Sequence, residues 1–513
     1  MKRKEFLRQL SLLTSGVAFG VQGVPVRTYA HNPFMLETAG TNGNILVLVQ
    51  LQGGNDGLNT VVPYENSIYY QRRPTIAIPK AGVLPLTSQL GLNPAMSSFR
   101  ELYDNAQLTI VENVGYQSPN RSHFRSTDIW LSGSDAETLE YDGWVGRYLA
   151  HKFPDYPVSL PEQPLAIQLG SVESMLLQSP VGSMATVFES PDTFYQLVQG
   201  NSAESASVPN TVAGEELKFL QQMAAQSIQY SDIIKKKADS GKNVVGYPNT
   251  SLGKQLAIVA DLISGGLTTP VYLTTLSGFD THANQVVASN VTTGQHANLL
   301  KTVADAVAVF TKDLKRQNLA NRVTVMTFSE FGRRVNQNGT TGTDHGTAAP
   351  LFVVGNSVRG GIVGTPPDLN NLDSNGDLNF KNDFRQVYAS VLRDHLGVDA
   401  INTKTILGRD FETLPIFRQN SALEVTEGIF ALGQNTPNPF VNNTDIQFTL
   451  KQASNARLVV YDLAGREVLV LREGQFDVGN YNIHFSGTSL AAGHYLYSLQ
   501  TDFGRQVRRM VKV

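Results

Sequence analysis

The residues with most chemistry to offer lie in four short stretches. Gly53-Gly54-Asn55-Asp56-Gly57-Leu58-Asn59 sets a carboxylate among glycines that let backbone approach a ligand closely. A tight turn with Asp56 capping its own backbone is the plain alternative. Asn120-Arg121-Ser122-His123-Phe124-Arg125-Ser126-Thr127-Asp128 gathers hydroxyls, an imidazole and two guanidinium groups. It could supply a nucleophile beside anion-holding arginines, or merely a helix cap with surface charges. Gly278-Phe279-Asp280-Thr281-His282 places a carboxylate and an imidazole two residues apart, half of a metal site. The fourth stretch is split between Ser329-Glu330-Phe331-Gly332-Arg333 and Gly342-Thr343-Asp344-His345-Gly346-Thr347. Buried acids and imidazoles of this kind need partners, and a divalent cation satisfies several at once.

The elements around these stretches argue for a common scaffold. Continuous apolar runs at Ile45 to Val49, Leu108 to Val111, Leu165 to Leu169, Val271 to Leu276, Val323 to Phe328 and Leu351 to Val354 read as strands buried on both faces. Helical patterns at Gly214 to Lys237, Leu252 to Leu262 and His296 to Lys315 alternate with them. The expected fold is α/β, with a mostly parallel central sheet flanked by helices. In such sheets catalytic groups collect at the carboxyl ends of strands, where three of the four stretches fall.

Both ends of the chain differ from this body. Lys2, Arg3, Lys4 and Arg8 precede an apolar run from Leu10 to Val26, and Thr28 and Ala30 stand at cleavage positions. Residues 1–30 therefore read as a signal peptide, twin-arginine-like with lysine replacing one arginine. Beyond the leader no stretch is apolar enough to span a bilayer. From Gln434-Asn435-Thr436-Pro437-Asn438-Pro439-Phe440 onward, short alternating strands separated by glycine turns predict a small β-sandwich over 434–513. That leaves 31–433 as the body. A net charge of −3 offers no basic face for nucleic acid, and the lack of cysteine excludes disulfides and thiolate metal sites.

The tail resembles the C-terminal sorting domain of the type IX secretion system of Bacteroidota. The likeness rests on Pro437-Asn438-Pro439-Phe440, Val460 to Val468, Ser489 to Tyr495 and the basic end Arg508 to Val513. It implies recognition by the type IX machinery after passage through the periplasm, and a secreted or cell-surface product. The body motifs, with Asp128-Ile129-Trp130 following Ser-His-Phe, resemble the secreted bacterial family known as domain of unknown function 1501 over roughly 44 to 400. That family is in turn distantly similar to alkaline phosphatases and sulfatases.

The resemblance implies an alkaline-phosphatase-like site. Asp56, Asp280 and His282 would ligate metal (zinc, calcium, manganese or magnesium), and Ser122 would be the nucleophile, with Ser126 behind it. Asp344-His345 matches that superfamily's Asp-His pair by residue type. Strand order instead favours Glu330 in a ligand's place, Phe331 where a histidine is expected, and His345 as the final ligand. Arg121 or Arg125 would grip the anionic oxygens. These departures leave two metals, one or none open. The implied activity is metal-dependent hydrolysis of phosphate or sulfate esters, against a non-catalytic surface protein that binds glycans or other envelope components. Asp373 to Asn379 has calcium-loop spacing but no remote glutamate, so an Asn/Asp/Gly turn is preferred. His151, His296 and the pair Asp394-His395 are set aside as helix or surface residues.

Overall fold

A computed structural model describes residues 43–157, 159–199, 227–418, 430–462, 467–502 and 504–513, so the leader and part of the expected helix 214–237 lie outside the described residues. Two compact units divide the chain near Asn420. In the first, strands β1 (Ile45–Gln52), β2 (Leu108–Gly115), β3 (Ala166–Leu169), β4 (Ala185–Phe188), β5 (Val271–Ser277), β6 (Val323–Phe328), β7 (Ala349–Gly355), β8 (Gly361–Val363) and β9 (Asn382–Asp383) form one sheet. Its order is β8-β2-β7-β6-β1-β5-β3-β4, with β9 beside β2. The pairings of β1 with β5 and β6, and of β5 with β3, are parallel, whereas β7 runs antiparallel to both β6 and β2. The expected mostly parallel sheet is present.

Alternation along β1 shows why the strand reads as uninterrupted apolar sequence. Ile45, Val47, Val49 and Leu51 enter one core with α1 (Ser97–Asp104), α4 (Ser251–Ser264) and α5 (Gln295–Arg316). Leu46 and Leu48 enter the opposite core with α2 (His123–Ser132), α3 (Trp144–Lys152) and α6 (Phe384–Ser390). With apolar layers on both faces, polar residues are excluded until the strand ends. The parallel register aligns Gln52 with Ser277 and Gln50 with Phe328. The loops after β1, β5 and β6 therefore leave the same rim. Because β7 is reversed, the loop that precedes it reaches this rim too, and so does the end of β2, where Val114 faces Ala349.

One set-aside histidine needs correction. His395 is buried rather than superficial, closing a π-helical turn (Val391–His395) with Nε2 3.0 Å from the Ile45 carbonyl. Burial pushes its pKa down to about 4.

The second unit stacks two antiparallel sheets. Strands β10 (Phe430–Leu432), β11 (Asn443–Leu450) and β14 (Gly479–Ser486) form one, and β12 (Ser454–Tyr461), β13 (Glu467–Phe476), β15 (Gly493–Thr501) and β16 (Gly504–Lys512) the other. Phe448, Leu450, Leu458, Val460, Leu499 and Met510 fill the space between them. The motif residues 463–466 lie outside the described residues. Strand β10 precedes the expected boundary at 433, yet it pairs with β11 and belongs to the tail.

Glu112 in β2 is buried, its Oε1 has no hydrogen-bond partner, and burial raises its pKa to about 8. An unfolded glutamate ionises near about 4.3. Between these values the unfolded chain binds fewer protons than the folded one, so the residue lowers stability as pH rises from about 4 to about 8. Glu112→Gln is expected to flatten that decline and to stabilise the protein at pH 7 by a few kcal/mol, read from denaturant unfolding across the range. An unchanged pH profile would contradict it.

Candidate metal centre at the sheet rim

Positive-φ glycines allow the rim loops to touch. Gly53 (φ 120°) packs so closely on the segment after β5 that an added Cβ would lie 2.3 Å from the Asp280 nitrogen. At Gly54 (φ 79°) an added Cβ would strike the Phe331 ring. Arg333, with a fully buried side chain, bonds across the gap. It donates from Nε to the Gly54 carbonyl at 2.7 Å and from Nη1 to the Thr343 carbonyl at 2.9 Å. From Nη2 it reaches the Gly53 carbonyl, the Phe279 carbonyl at 3.1 Å and Asp280 Oδ1 at 2.6 Å.

Around Asp280 three imidazoles converge. His282, His345 and His123 place Nε2 3.1, 3.3 and 3.5 Å from Asp280 Oδ1. The ligand atoms of His123, Asp280 and His345 lie within 4.8 Å of one another. Each ring is held at its other nitrogen by an oxygen that accepts. His123 Nδ1 meets Glu330 Oε1 at 2.8 Å, His282 Nδ1 meets Asp344 Oδ1 at 3.1 Å, and His345 Nδ1 meets the Arg121 carbonyl at 2.8 Å. A carbonyl or carboxylate oxygen requires the proton on Nδ1, so in the neutral rings the Nε2 lone pairs face inward. His282 Nε2 and His345 Nε2 stand 2.9 Å apart. Lone pairs so opposed repel unless a proton or a cation lies between them. Imidazoles and a carboxylate, with outer oxygens fixing the tautomers, suit a divalent ion of the zinc type, and among the described residues the mutually close set is His123, Asp280 and His345, with His282 beside it. On this test the residues fit a metal.

Charges tune the cluster. Burial pushes Asp280 up, but Arg333 overrides it and holds the carboxyl below the usual range. Burial and the neighbouring Arg333 guanidinium push His345 down, which favours its neutral form. Asp344 is held low first by a hydrogen bond from Asn338. Phe331 packs its ring 4.9 Å from His123 and 4.7 Å from His345, centroid to centroid, a wall rather than a ligand.

The expected site residues sort unevenly. Asp280, His282 and His345 come together. Glu330 and Asp344 come with them, but turned to orient histidines; Glu330 Oε1 also accepts from the Gly53 amide at 2.9 Å. Asp56 does not face the cluster. It is fully buried, ion-paired with Arg73 at 2.7 Å, and accepts from Gln285 Nε2 at 2.6 Å, and the Arg73 charge outweighs burial to hold its pKa low. Gln285 in turn accepts from Thr281 and Thr343, so Asp56 supports the ligand loops from below.

Arg121 and Arg125 do not face an anion subsite either. Arg121 pairs with Asp373 and Asp377, and Arg125 donates to the carbonyls of Ala136 at 2.8 Å and Thr138 at 2.6 Å. The loop with calcium-like spacing thus holds an arginine. Ser126 is buried against Tyr116 and the Glu330 carbonyl. Ser122 is exposed at the N-terminus of α2, next to His123, and its side chain makes no capping bond. His123 was not among the expected ligands; its signal was its place at a helix start just beyond a buried strand.

Residues 221–413 match the family described as protein of unknown function (DUF1501), and residues 436–513 match the secretion system C-terminal sorting domain. Both resemblances read from the sequence are borne out. No curated protein matches the chain. Solved structures align at low identity. One is a Bacteroides thetaiotaomicron protein from work on the metabolism of multiple glycosaminoglycans (11% identical, 85% of this chain and 89% of that chain, TM-score 0.35). Another is the PsFucS1 sulfatase from Pseudoalteromonas (11%, 95% and 89%, 0.32), and a third is an alkaline phosphatase superfamily protein from Vibrio parahaemolyticus (12%, 93% and 92%, 0.30). Likeness at this level says nothing about activity. The sorting domain marks the chain for export to the cell surface or beyond. No helix among the described residues is long and apolar enough to cross a membrane.

Removing one member of the buried Asp56–Arg73 pair strands the other charge, which costs about 3–5 kcal/mol. Asp56→Ala is expected to lose that much in denaturant unfolding and to loosen the ligand loops it underpins. A loss below about 1 kcal/mol would show that the pair is not buried as described.

Proposed function

We propose that the chain is an exported, metal-dependent hydrolase of phosphate or sulfate esters, with His123, His282, His345 and Asp280 as the metal ligands. The observation that carries this reading is the approach of three imidazoles to one carboxylate oxygen, two of them (His123 and His345) forming a mutually close set with Asp280, beside an exposed serine at a helix start. Three nitrogens and one oxygen favour zinc over calcium or magnesium, which prefer oxygen shells. Such an ion, when bound, supplies Lewis-acid stabilisation of charge on the reacting group and lowers the pKa of an adjacent hydroxyl.

The remaining work falls to the chain. The first-turn amides of α2 present partial positive charge to an anionic group. Ser122, at their head, is the nucleophile in this reading. Glu330, Asp344 and the Arg121 carbonyl hold the imidazoles in one tautomer, so the ligand set is assembled before substrate arrives. Arg333 keeps Asp280 ionised. Export would begin with removal of residues 1–30 and passage through the periplasm, and end with recognition of residues 434–513 by the type IX machinery.

One observation favours a second reading, a surface protein that binds glycans or other envelope components without turnover. Arg121, Arg125, Arg333 and Arg334 are all committed to protein partners, so among the described residues none of these four guanidiniums is left to grip an anionic ester.

Metal analysis of the purified protein, with a screen of aryl phosphate and aryl sulfate esters, separates the two. The hydrolase reading expects bound zinc-type metal and turnover. His282→Ala and His345→Ala should each lose the metal, whereas Ser122→Ala should keep it and lose turnover by several orders of magnitude. Metal without turnover on any ester would favour the binding protein, and full activity in Ser122→Ala would remove that residue from the nucleophile's role.

A further inference from the structure

The loop from Asp373 to Asp377 has the alternating acids of a cation site, yet its carboxylates hold arginines. Asp377 has a fully buried side chain; its Oδ2 accepts from Arg121 Nε at 2.8 Å and from Arg121 Nη2, and its Oδ1 accepts from Arg334 Nε at 3.3 Å. Asp373 Oδ2 takes Arg121 Nη2 at 3.2 Å, while its Oδ1 closes the turn on the amides of Asn375 and Asp377, each at 2.8 Å. Arg334 adds a bond to the Asn375 carbonyl. Both arginines adjoin the metal centre through their backbones. The Arg121 carbonyl receives His345 Nδ1, the Arg334 amide donates to the Asp344 carbonyl at 3.0 Å, and Arg333 is the next residue.

We infer that Asp377 is a positioning residue for the metal centre: through Arg121 it fixes the backbone carbonyl that sets the tautomer and aim of His345. The inference rests on the reading of His345 as a ligand. With Asp377 neutralised, Arg121 loses its strongest anchor, the carbonyl is freed to move, and His345 can carry its proton on either nitrogen. Outer partners of metal-bound histidines are worth about 10- to 100-fold in affinity. The same carboxylates are thereby committed to the Arg121 guanidinium rather than left free for a calcium ion.

Cobalt(II) titration of the full-length protein, followed by its visible absorption, tests this. Asp377→Asn and Arg121→Lys, which leave the carbonyl in place but unanchored, should each weaken cobalt binding by up to about 10-fold, the lower end of what losing a direct outer partner costs. Nitrogen-15 spectra of the metal-free protein should show His345 moving from a single Nδ1-protonated tautomer to a mixture. Asp313→Asn is the control for simple destabilisation, since Asp313 is buried and holds the Val244 amide and the Tyr247 hydroxyl. If Asp313→Asn weakens cobalt equally at a matched Tm, or if Asp377→Asn binds like the wild type, the inference is wrong. Should Asp377→Asn fail to fold, Arg121→Lys, which keeps the carbonyl, decides alone. A wild type that binds neither cobalt nor zinc, or a His345→Ala variant that binds normally, would overturn the metal-site reading itself and the inference with it.

Discussion

The guanidinium of Arg333 is the point on which the rim is built. It has no contact with solvent, and it satisfies its donors on carbonyls from three separate loops and on the carboxylate of Asp280. A buried cation without such partners would cost far more than the fold could bear. The loops after β1 and β5 and the loop before β7 are therefore held at one spacing by the need to satisfy one side chain. The glycines at 53 and 54 follow from the same constraint, since any side chain there would push the loops apart.

Beneath this layer lies a second charged one. Asp56 and Arg73 neutralise each other, and Gln285 passes the support upward to Thr281 and Thr343, the neighbours of Asp280, His282 and Asp344. The acids of the rim thus divide by task. Asp280 faces inward among the imidazoles, Glu330 and Asp344 set tautomers, Asp56 and Asp377 anchor arginines. A cluster of side chains so braced is preorganised.

The tail obeys a different logic. Its strands alternate, one face filling a small sandwich core and the other meeting solvent, and the unit has an apolar cluster of its own. A module built in this way does not need the body's core to fold, which suits a segment that serves as an address.

Much was legible in the residue order. The double-sided strands are forced by burial on both faces, the strand-end positions of Asp280 and Glu330 follow from where those runs stop, and the tail's period of two marks a separate sandwich. These features are local, since each is a pattern along a few consecutive residues. Which acid gathers imidazoles and which sits apart from them could not be read this way. Asp56 and Asp280 look alike as strand-end carboxylates, and only the fold brings Arg73 to the first and three histidines to the second. Arg121 looked like an anion clamp until Asp373 and Asp377, some 250 residues on, claimed it. The role of a charged group depends on which opposite charge lies within a few ångströms, and that distance is set by the tertiary structure.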